Sequence, residues 1–526
     1  MNGRPGKLSR GAFFSVLLLA FFSVGCQRSA ASDSDGGQSI DLSGLPACAR
    51  KGFEAAWTAR PPPSGPRTEW CTGEWTLIAA GNHGSRPLGV RDLSLPVGSN
   101  SVHTGAAREY SVRIRFPAPV AAKREIFVPE DFALSLGSIG MNWEIYVNDV
   151  LLEREIHRDA AGEIRLKLYL RDHRVRIPAE ILRPGENQLF VRLIAEPDFA
   201  LSGIAIGQPQ SIGPARAVEN PLRDQIELAL IILYLAAGAF HLLFFVLRPA
   251  ERASLYFGLF ALAIFLYFFS RGRAIYSITR DLEILIRLEL ICLYCMVPLF
   301  HFFIDTMLYG RRGRLARMNV WFHGALILSA LALPIALAWD ALQIWQLLAL
   351  PFILYFLFQL LQGVRYEWIK QKVRRRTLSA SRLLGFTLTR SVPGNLLLGY
   401  LILGAAAGYD VFDAVFLHRA EELTRYGFFV FIMGIAGALA NRYIAAVHQV
   451  ESLNEELRFR IVELNQANQG LRDSEERYRI LVEESHDIIF TLDENFLFVR
   501  ANRNMHRILG VSEQKLAGVS FLDLIY

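Results

Sequence analysis

The sequence predicts a multi-domain membrane protein: an exported β-sandwich, then a seven-helix transmembrane bundle, a coiled-coil helix and part of an α/β domain. Three observations carry this reading. Hydrophobic residues make up 52% of the 526-residue chain, with 36 Phe and a mean hydropathy of +0.26, which is apolar for a soluble protein. Apolar stretches recur between Gln225 and Val447, each near the ~20 residues that cross a bilayer. On either side of them the period changes, to two-residue alternation before and a seven-residue repeat after. The length itself allows roughly three or four domains. The net charge of +6 is modest, and the basic residues cluster beside apolar spans, where they report membrane orientation. Nucleic acid is therefore not an expected partner.

At the N-terminus Arg4, Lys7 and Arg10 precede the apolar run Ala12 to Val24, the layout of a secretory signal over residues 1–25. FSVGC resembles a bacterial lipoprotein cleavage box, which implies Cys26 as the lipidated residue; Ser23 departs from the aliphatic residue usual there. Residues 26–69 read as a linker and N-terminal extension, Ser/Asp/Gly-rich as far as residue 45. Cys48 and Cys71, both in the exported region, can form one disulfide in an oxidising compartment. Cys292 and Cys295 read CLYC inside an apolar span, where two small core residues explain them better than a metal or redox pair. No cofactor is expected.

Residues 70–215 are the expected sandwich. REYSVRIRF (108–116), NWEIYVNDVLL (142–152), EIRLKLYL (163–170) and NQLFVRLIA (187–195) alternate apolar and polar residues as half-buried strands do, and Asn148-Asp149 suits a tight hairpin turn. In order, GEWTL, LSLPVGS, REYSVRIRF, WEIYVNDVLL, RPGENQLFVRLI and SGIAIGQP resemble the galactose-binding-like jelly roll of lectins and of some bacterial receptor ectodomains. The resemblance implies a ligand-binding sandwich for a small extracytoplasmic ligand such as a carbohydrate or a carboxylate. Trp143, Tyr146, Arg154, His157 and Arg171 are the candidates for stacking and polar contact with it. Glu144, Asp149 and Glu153 are scattered, without the positioned carboxylate pair that a glycosidase needs.

The spans run approximately over 225–247, 254–270, 284–308, 318–338, 342–363, 383–406 and 425–447, within a domain of residues 225–447. The odd number puts the chain ends on opposite sides. With the sandwich exported, RPAER, RRGRLAR and VRYEWIKQKVRRR fall in the cytoplasm, as the positive-inside rule asks. The second connection, SRGRAIYSITRDLE, runs against that rule with its arginines outside. Arg287, Glu289, His301 and Asp305 lie on span three, and His241 on span one, as intramembrane polar candidates; His301 and Asp305 share a helical face. A β-sandwich, seven spans and a cytoplasmic helix together resemble the bacterial seven-transmembrane receptors with diverse intracellular signalling modules. That resemblance implies a receptor of the bacterial inner membrane with its N-terminal domain periplasmic and its C-terminus cytoplasmic.

In residues 448–473 Val450, Leu457, Leu464 and Leu471 recur every seven residues with Leu453 and Ala467 between them, which predicts a parallel coiled coil and a homodimer. Arg460, Ser474 and Gly470 weaken the seam. Residues 474–526 resemble the first half of a PAS domain: ERYRILVEES as cap helix, DIIFTLDENFLFVRAN as first hairpin with an Asp-Glu-Asn turn, NRNMHRILG as short helices, and Asn502 where that family has its Asn after the second strand. Half a sheet leaves an open edge, so the expectation is that the domain continues beyond Tyr526. No phosphate loop, HExxH, nucleophile elbow or kinase signature occurs, so no catalytic residue is assigned. The expected function is a membrane sensory receptor that passes a ligand signal inward to a downstream protein or output domain. Two rivals are the sensor half of a histidine kinase, nucleotide cyclase or serine phosphatase, and an ion or proton transporter built on His301 and Asp305.

Overall fold

The computed structural model describes residues 39–42, 45, 47–59, 76–79, 108–117, 131–160, 164–195, 201–204, 210–310, 313–374, 379–412, 422–516 and 518–524. The signal sequence, Cys26, Cys71, LSLPVGS and most of the linker lie outside them. The chain divides into two compact units, Met1–Leu439 and Ala440–Tyr526.

The first unit opens with a curled ten-stranded sheet. Its strands are β1 (Ile40–Asp41), β2 (Ala47–Lys51), β3 (Thr76–Ala79), β4 (Arg108–Pro117), β5 (Phe132–Val147), β6 (Val150–Glu155), β7 (Leu168–Ile177), β8 (Glu186–Ala195), β9 (Gly203–Ile204) and β10 (Ser211–Pro214); a short helix, α1 (Ala56–Ala59), follows β2. The backbone path is β1-β10-β5-β8-β4-β2-β3, with β6, β7 and β9 also on β5. β5 organises the curl. Its first part pairs with β7 and β10, and its last residues, Asn142 to Val147, pair with β6 and β8. The change of partner falls where Met141 takes φ 78°, beside Gly140, at which a Cβ would stand 2.0 Å from the Leu201 carbonyl oxygen. The expected hairpin turn is present: Asn148 and Asp149 have φ of 49° and 78°, the left-handed pair that joins two strands tightly. EIRLKLYL behaves differently, since only its last residues enter β7, which runs on to Ile177.

The helical part comprises α2 (Ala215–Glu219), α3 (Pro221–Leu247), α4 (Arg252–Arg271), α5 (Leu282–Tyr309), α6 (Arg314–Ala332), α7 (Ile335–Arg374), α8 (Ala380–Arg390), α9 (Val392–Phe412) and α10 (Leu423–Glu483). Among the described residues five helices are long and apolar enough to cross a membrane, or up to six if the pair bent by 40° between Gln346 and Pro351 is one span. Two local features reshape the expected spans. The sixth is split at Ser391, which leaves helical conformation ahead of Pro393; its hydroxyl accepts the Gly394 N–H at 3.1 Å and so caps α9. The fourth stops at Ala332 ahead of Pro334. The sheet core is continuous with Leu282, Ile286, Leu290 and Tyr294 of α5 and Ile335 and Trp345 of α7, so sheet and bundle share one apolar seam.

The second unit holds the later part of α10, the hairpin of β11 (Phe490–Leu492) and β12 (Phe498–Ala501), and two short helices, α11 (Arg503–Leu509) and α12 (Glu513–Leu516). Val450, Leu453, Leu457, Leu464 and Leu471 are exposed along α10. In the Asp-Glu-Asn turn, the Asp493 carboxylate accepts the N–H groups of Asn495 and Leu497 at 2.9 and 2.8 Å. Buried Asn502 is the hub: its amide donates to the Val482 and Asp487 carbonyls, both at 2.9 Å, and its oxygen accepts from Ile489 and Met505 at 3.2 Å. One side chain thus joins the end of α10, the hairpin and the start of α11.

Candidate functional site

β7 is the seat of the sheet on the bundle. In a regular strand, residues three apart point to opposite faces. Here Asp172 takes φ 48° and interrupts the ladder between Ser138↔Arg171 and Leu136↔His173, so Arg171 and Arg174 both reach helices. Arg174 binds Asp224 of α3 with two N–H groups at 2.8 and 3.0 Å and also Asp172; Arg273 adds a contact to Asp224 at 3.2 Å. The Arg171 backbone N–H donates to the Tyr276 hydroxyl at 2.7 Å. Burial, opposed by that hydrogen bond, pushes the Tyr276 phenol up to about 12.

From Arg171 a file of alternating charges crosses the top of the bundle. Its guanidinium grips Glu289 of α5 with both terminal nitrogens. Glu289 also faces Arg271, the last residue of α4, at 3.5 Å, and Arg271 binds Glu422 at 2.8 Å. Glu422 meets Arg425, in the first turn of α10, at 3.0 Å; Arg425 in turn grips Glu227 of α3, which lies 3.7 Å from Arg223. Burial works against the charge on Arg171, but Glu289 beside it more than offsets this and raises its pKa. Arg271 first, then Arg425, hold the Glu422 carboxyl down at about 2 against the opposing effect of burial. The sign follows: a carboxyl whose folded value lies below its ordinary 4.5 contributes stability above that pH and loses it as the pH falls through about 2. The thermal midpoint of the wild type should therefore converge on that of Glu422→Gln over this window. The side chain is 39% exposed, so solvent screening keeps the effect modest. A constant gap down to the lowest pH would remove Glu422 from the file.

Beside Arg171 a cleft of about 570 Å³ opens between sheet and bundle, lined by Glu153 and Glu155 of β6, by residues 170–174 of β7, and by Arg273, Ala274, Tyr276 and Arg280. Glu153 is held by His173 at 2.9 Å and by the Trp143 indole N–H at 3.2 Å. Burial raises the Glu153 pKa, but His173, Trp143 and Arg280 together lower it below the usual carboxylate value. Glu155 binds Arg280 at 2.9 Å and His157 at 3.0 Å.

The five sandwich candidates thus separate. Arg171 lines the cleft, and His157 and Trp143 stand behind two of its glutamates. Trp143 is fully buried in the sheet core, with its indole turned to Glu153. Tyr146 and Arg154 lie elsewhere, around Glu144: the Tyr146 hydroxyl donates to it at 2.9 Å, Arg154 pairs with it at 3.1 Å, and Tyr146 stacks on Phe53. Cys48 is buried and disulfide-bonded, and Cys71 lies outside the described residues.

The intramembrane candidates separate too. Glu289 belongs to the charge file, while Arg287 caps the end of α6 by donating to the carbonyls of Ala330, Leu331 and Leu333. His301 and Asp305 are buried 3.9 Å apart, His301 against the Asn319 amide at 3.2 Å and Asp305 against the Gly313 N–H at 2.7 Å. His241 packs edge-on against Phe257 at 4.6 Å. The Cys292 and Cys295 thiols are free, and no cluster of three or more metal-ligating side chains occurs among the described residues. Sequence reasoning missed Arg271, Arg273, Arg280, Glu422 and Arg425. A signal for three of them was present, since Arg271, Arg273 and Arg280 are the arginines that broke the charge bias of the second connection.

About a third of the chain is similar, at low overlap, to parts of several solved structures. A glycosyl hydrolase family 2 member from Bacteroides cellulosilyticus is 18% identical with a TM-score of 0.22, covering 33% of this chain and 20% of its own. The β-D-mannosidase of Dictyoglomus thermophilum is 14% identical with a TM-score of 0.21, covering 34% and 22%. The β-glucuronidase of Faecalibacterium prausnitzii is 12% identical with a TM-score of 0.19, covering 35% and 32%. This chain thus spans at most about a third of these structures, and no activity is carried over from them. No curated protein matches the chain. The apolar helices point to a multi-pass membrane protein. Residues 223–383, the stretch that carries Glu227, Arg271 and Glu289, match the model of the family described as 7TM diverse intracellular signalling, a family of membrane sensory receptors; the match covers this stretch of the chain.

Proposed function

We propose that the chain is a sensory receptor of the bacterial inner membrane. Its N-terminal sheet, taken as a jelly-roll sandwich outside the membrane, binds a small ligand of the carbohydrate or carboxylate class in the cleft beside Arg171. The observation that carries this reading is the file from β7 through Glu289, Arg271 and Glu422 to Arg425, because it ties the ligand-bearing strand to the first turn of the helix that leaves the bundle. A change at Arg171 then alters how the start of α10 is held, and a coiled coil of two copies converts that change into altered spacing of whatever it carries. The exposed heptad positions from Val450 to Leu471 support the dimer, and the Asn502-centred hairpin supports a PAS-type relay.

The test is disulfide cross-linking of the full chain carrying Leu457→Cys, in membranes, with the unsubstituted chain as background. Two copies should cross-link through position 457, and adding Glu289→Gln should change the rate about fivefold or more, the minimum expected for a coupling of about 1 kcal/mol. Absence of the cross-link would remove the dimer. An unchanged rate would remove the coupling through the file. A transporter built on His301 and Asp305 predicts instead that ion flux is lost on replacing both with Ala while cross-linking is unaffected.

A further inference from the structure

Among the described residues the charge file is one anion short. Among the described residues it contains four arginines, Arg171, Arg271, Arg425 and Arg223, and three carboxylates, Glu289, Glu422 and Glu227. An arginine stands at each end. The neighbouring cluster is balanced, with Arg174 and Arg273 matched by Asp172 and Asp224. Every carboxylate in the file touches two arginines; Glu422 holds Arg271 and Arg425 almost equally, at 2.8 and 3.0 Å, and the other two hold one closely and one loosely. Glu289 holds Arg171 more closely than Arg271, and Glu227 holds Arg425 more closely than Arg223. The close pairs are thus 171 with 289, 271 with 422, and 425 with 227, which leaves Arg223 with the loosest contact, at 3.7 Å.

We infer that the cleft takes a small oxyanion, a carboxylate or a phosphate, on Arg171, and that its arrival shifts the whole file by one pairing. This deepens, and rests on, the receptor reading above. Arg171 is the member of the file that lines the cleft; it has five N–H donors, of which two go to Glu289, and the 570 Å³ of the cleft has room for such a group beside Arg273 and Arg280. A neutral or cationic ligand cannot take the place of Glu289 without leaving a buried guanidinium unmatched, whereas an oxyanion can. The displaced carboxylate is not orphaned. Glu289 closes on Arg271, already 3.5 Å away, Glu422 closes on Arg425, and Glu227 closes on Arg223, its neighbour one turn earlier on α3. The file then reads as four complete pairs, and Arg425 has given up Glu227 while keeping Glu422, which it already meets at 3.0 Å. The first turn of α10 is thereby released from α3 and held by its own N-terminal flank alone, which is a change between two discrete arrangements of the same groups.

The oxyanion can come from solution or from a lipid headgroup, and the test separates the two. The full chain is placed in nanodiscs of phosphatidylcholine and its thermal midpoint is followed against inorganic phosphate or malonate at constant ionic strength; a second set of nanodiscs contains phosphatidylglycerol. A rise with phosphate or malonate in phosphatidylcholine identifies a soluble oxyanion. A raised midpoint in phosphatidylglycerol that no longer responds to either identifies the headgroup. In both cases Arg171→Gln should abolish the response. Arg223→Gln is the more telling variant, because Arg223 lies outside the cleft and is 40% exposed, yet its loss leaves three arginines for three carboxylates. Anion affinity should then fall about tenfold or more, as removal of one unit charge from a partly buried network implies. Wild-type affinity in Arg223→Gln, or no response of the wild type to phosphate, malonate or phosphatidylglycerol, would overturn the proposal. If the wild type does not respond but Glu289→Gln still alters cross-linking at position 457, only the oxyanion is lost and the receptor reading stands; if cross-linking is also unchanged, both are lost.

Discussion

Glu289→Gln should destabilise the first unit by about 3–5 kcal/mol, the usual cost of breaking a buried ion pair from one side. Glu289 is 8% exposed and is shared by Arg171 and Arg271, so its neutralisation leaves two guanidinium groups facing an amide that can satisfy neither charge. Denaturant unfolding of the full chain in mixed micelles measures the loss. The double variant Arg171→Met with Glu289→Gln should recover part of it, because Arg271 keeps Glu422 at 2.8 Å while the unmatched cation at the cleft is gone. A loss below about 1 kcal/mol in the single variant would mean that solvent reaches the pair and that it behaves as a surface bridge.

Trp143→Ala is the second large effect, again about 3–5 kcal/mol. The side chain is among the largest fully buried in the protein, it sits in β5 where the strand passes from one set of partners to the other, and its indole N–H is one of the donors on Glu153. Trp143→Phe keeps most of the volume and deletes the donor, so it should cost about 1–3 kcal/mol, the range for a buried acceptor that loses its partner. The same unfolding measurement on both variants separates packing from hydrogen bonding. Equal losses would show that the contact with Glu153 matters and the cavity does not.

How far these features could be read from the sequence depends on how local their causes are. The β5–β6 turn was legible because Asn148 and Asp149 carry their left-handed preference in their own side chains, and the Asp493 turn because its carboxylate accepts N–H groups only two and four residues on. The split at Ser391 was signalled by Pro393 two residues on, but the apolar run on both sides masks it in any windowed reading. The charge file was not legible. Arg171 and Glu289 are 118 residues apart, and Arg271 and Glu422 are 151 apart, so no periodicity links them. Each of these arginines, taken singly, reads as loop or membrane-flank charge. The kink at Asp172 that turns Arg174 toward α3 along with Arg171 toward α5 depends on what β7 lies against, which no local pattern records. Trp143 was read for its chemistry as a stacking platform, and burial assigns it to the core instead; alternation along WEIYV leaves either face open until the sheet partners are known.

The pairing of β1 with β10 has a consequence for how the molecule is made. Ile40 lies opposite Ile212, so the first strand of the sheet finds its neighbour only when the last one has been synthesised. Closing so long a loop is slow compared with forming the β5–β6 hairpin, whose ends are adjacent. The N-terminal strand therefore waits with an open edge until β10, the last strand before α2, is available to pair with it.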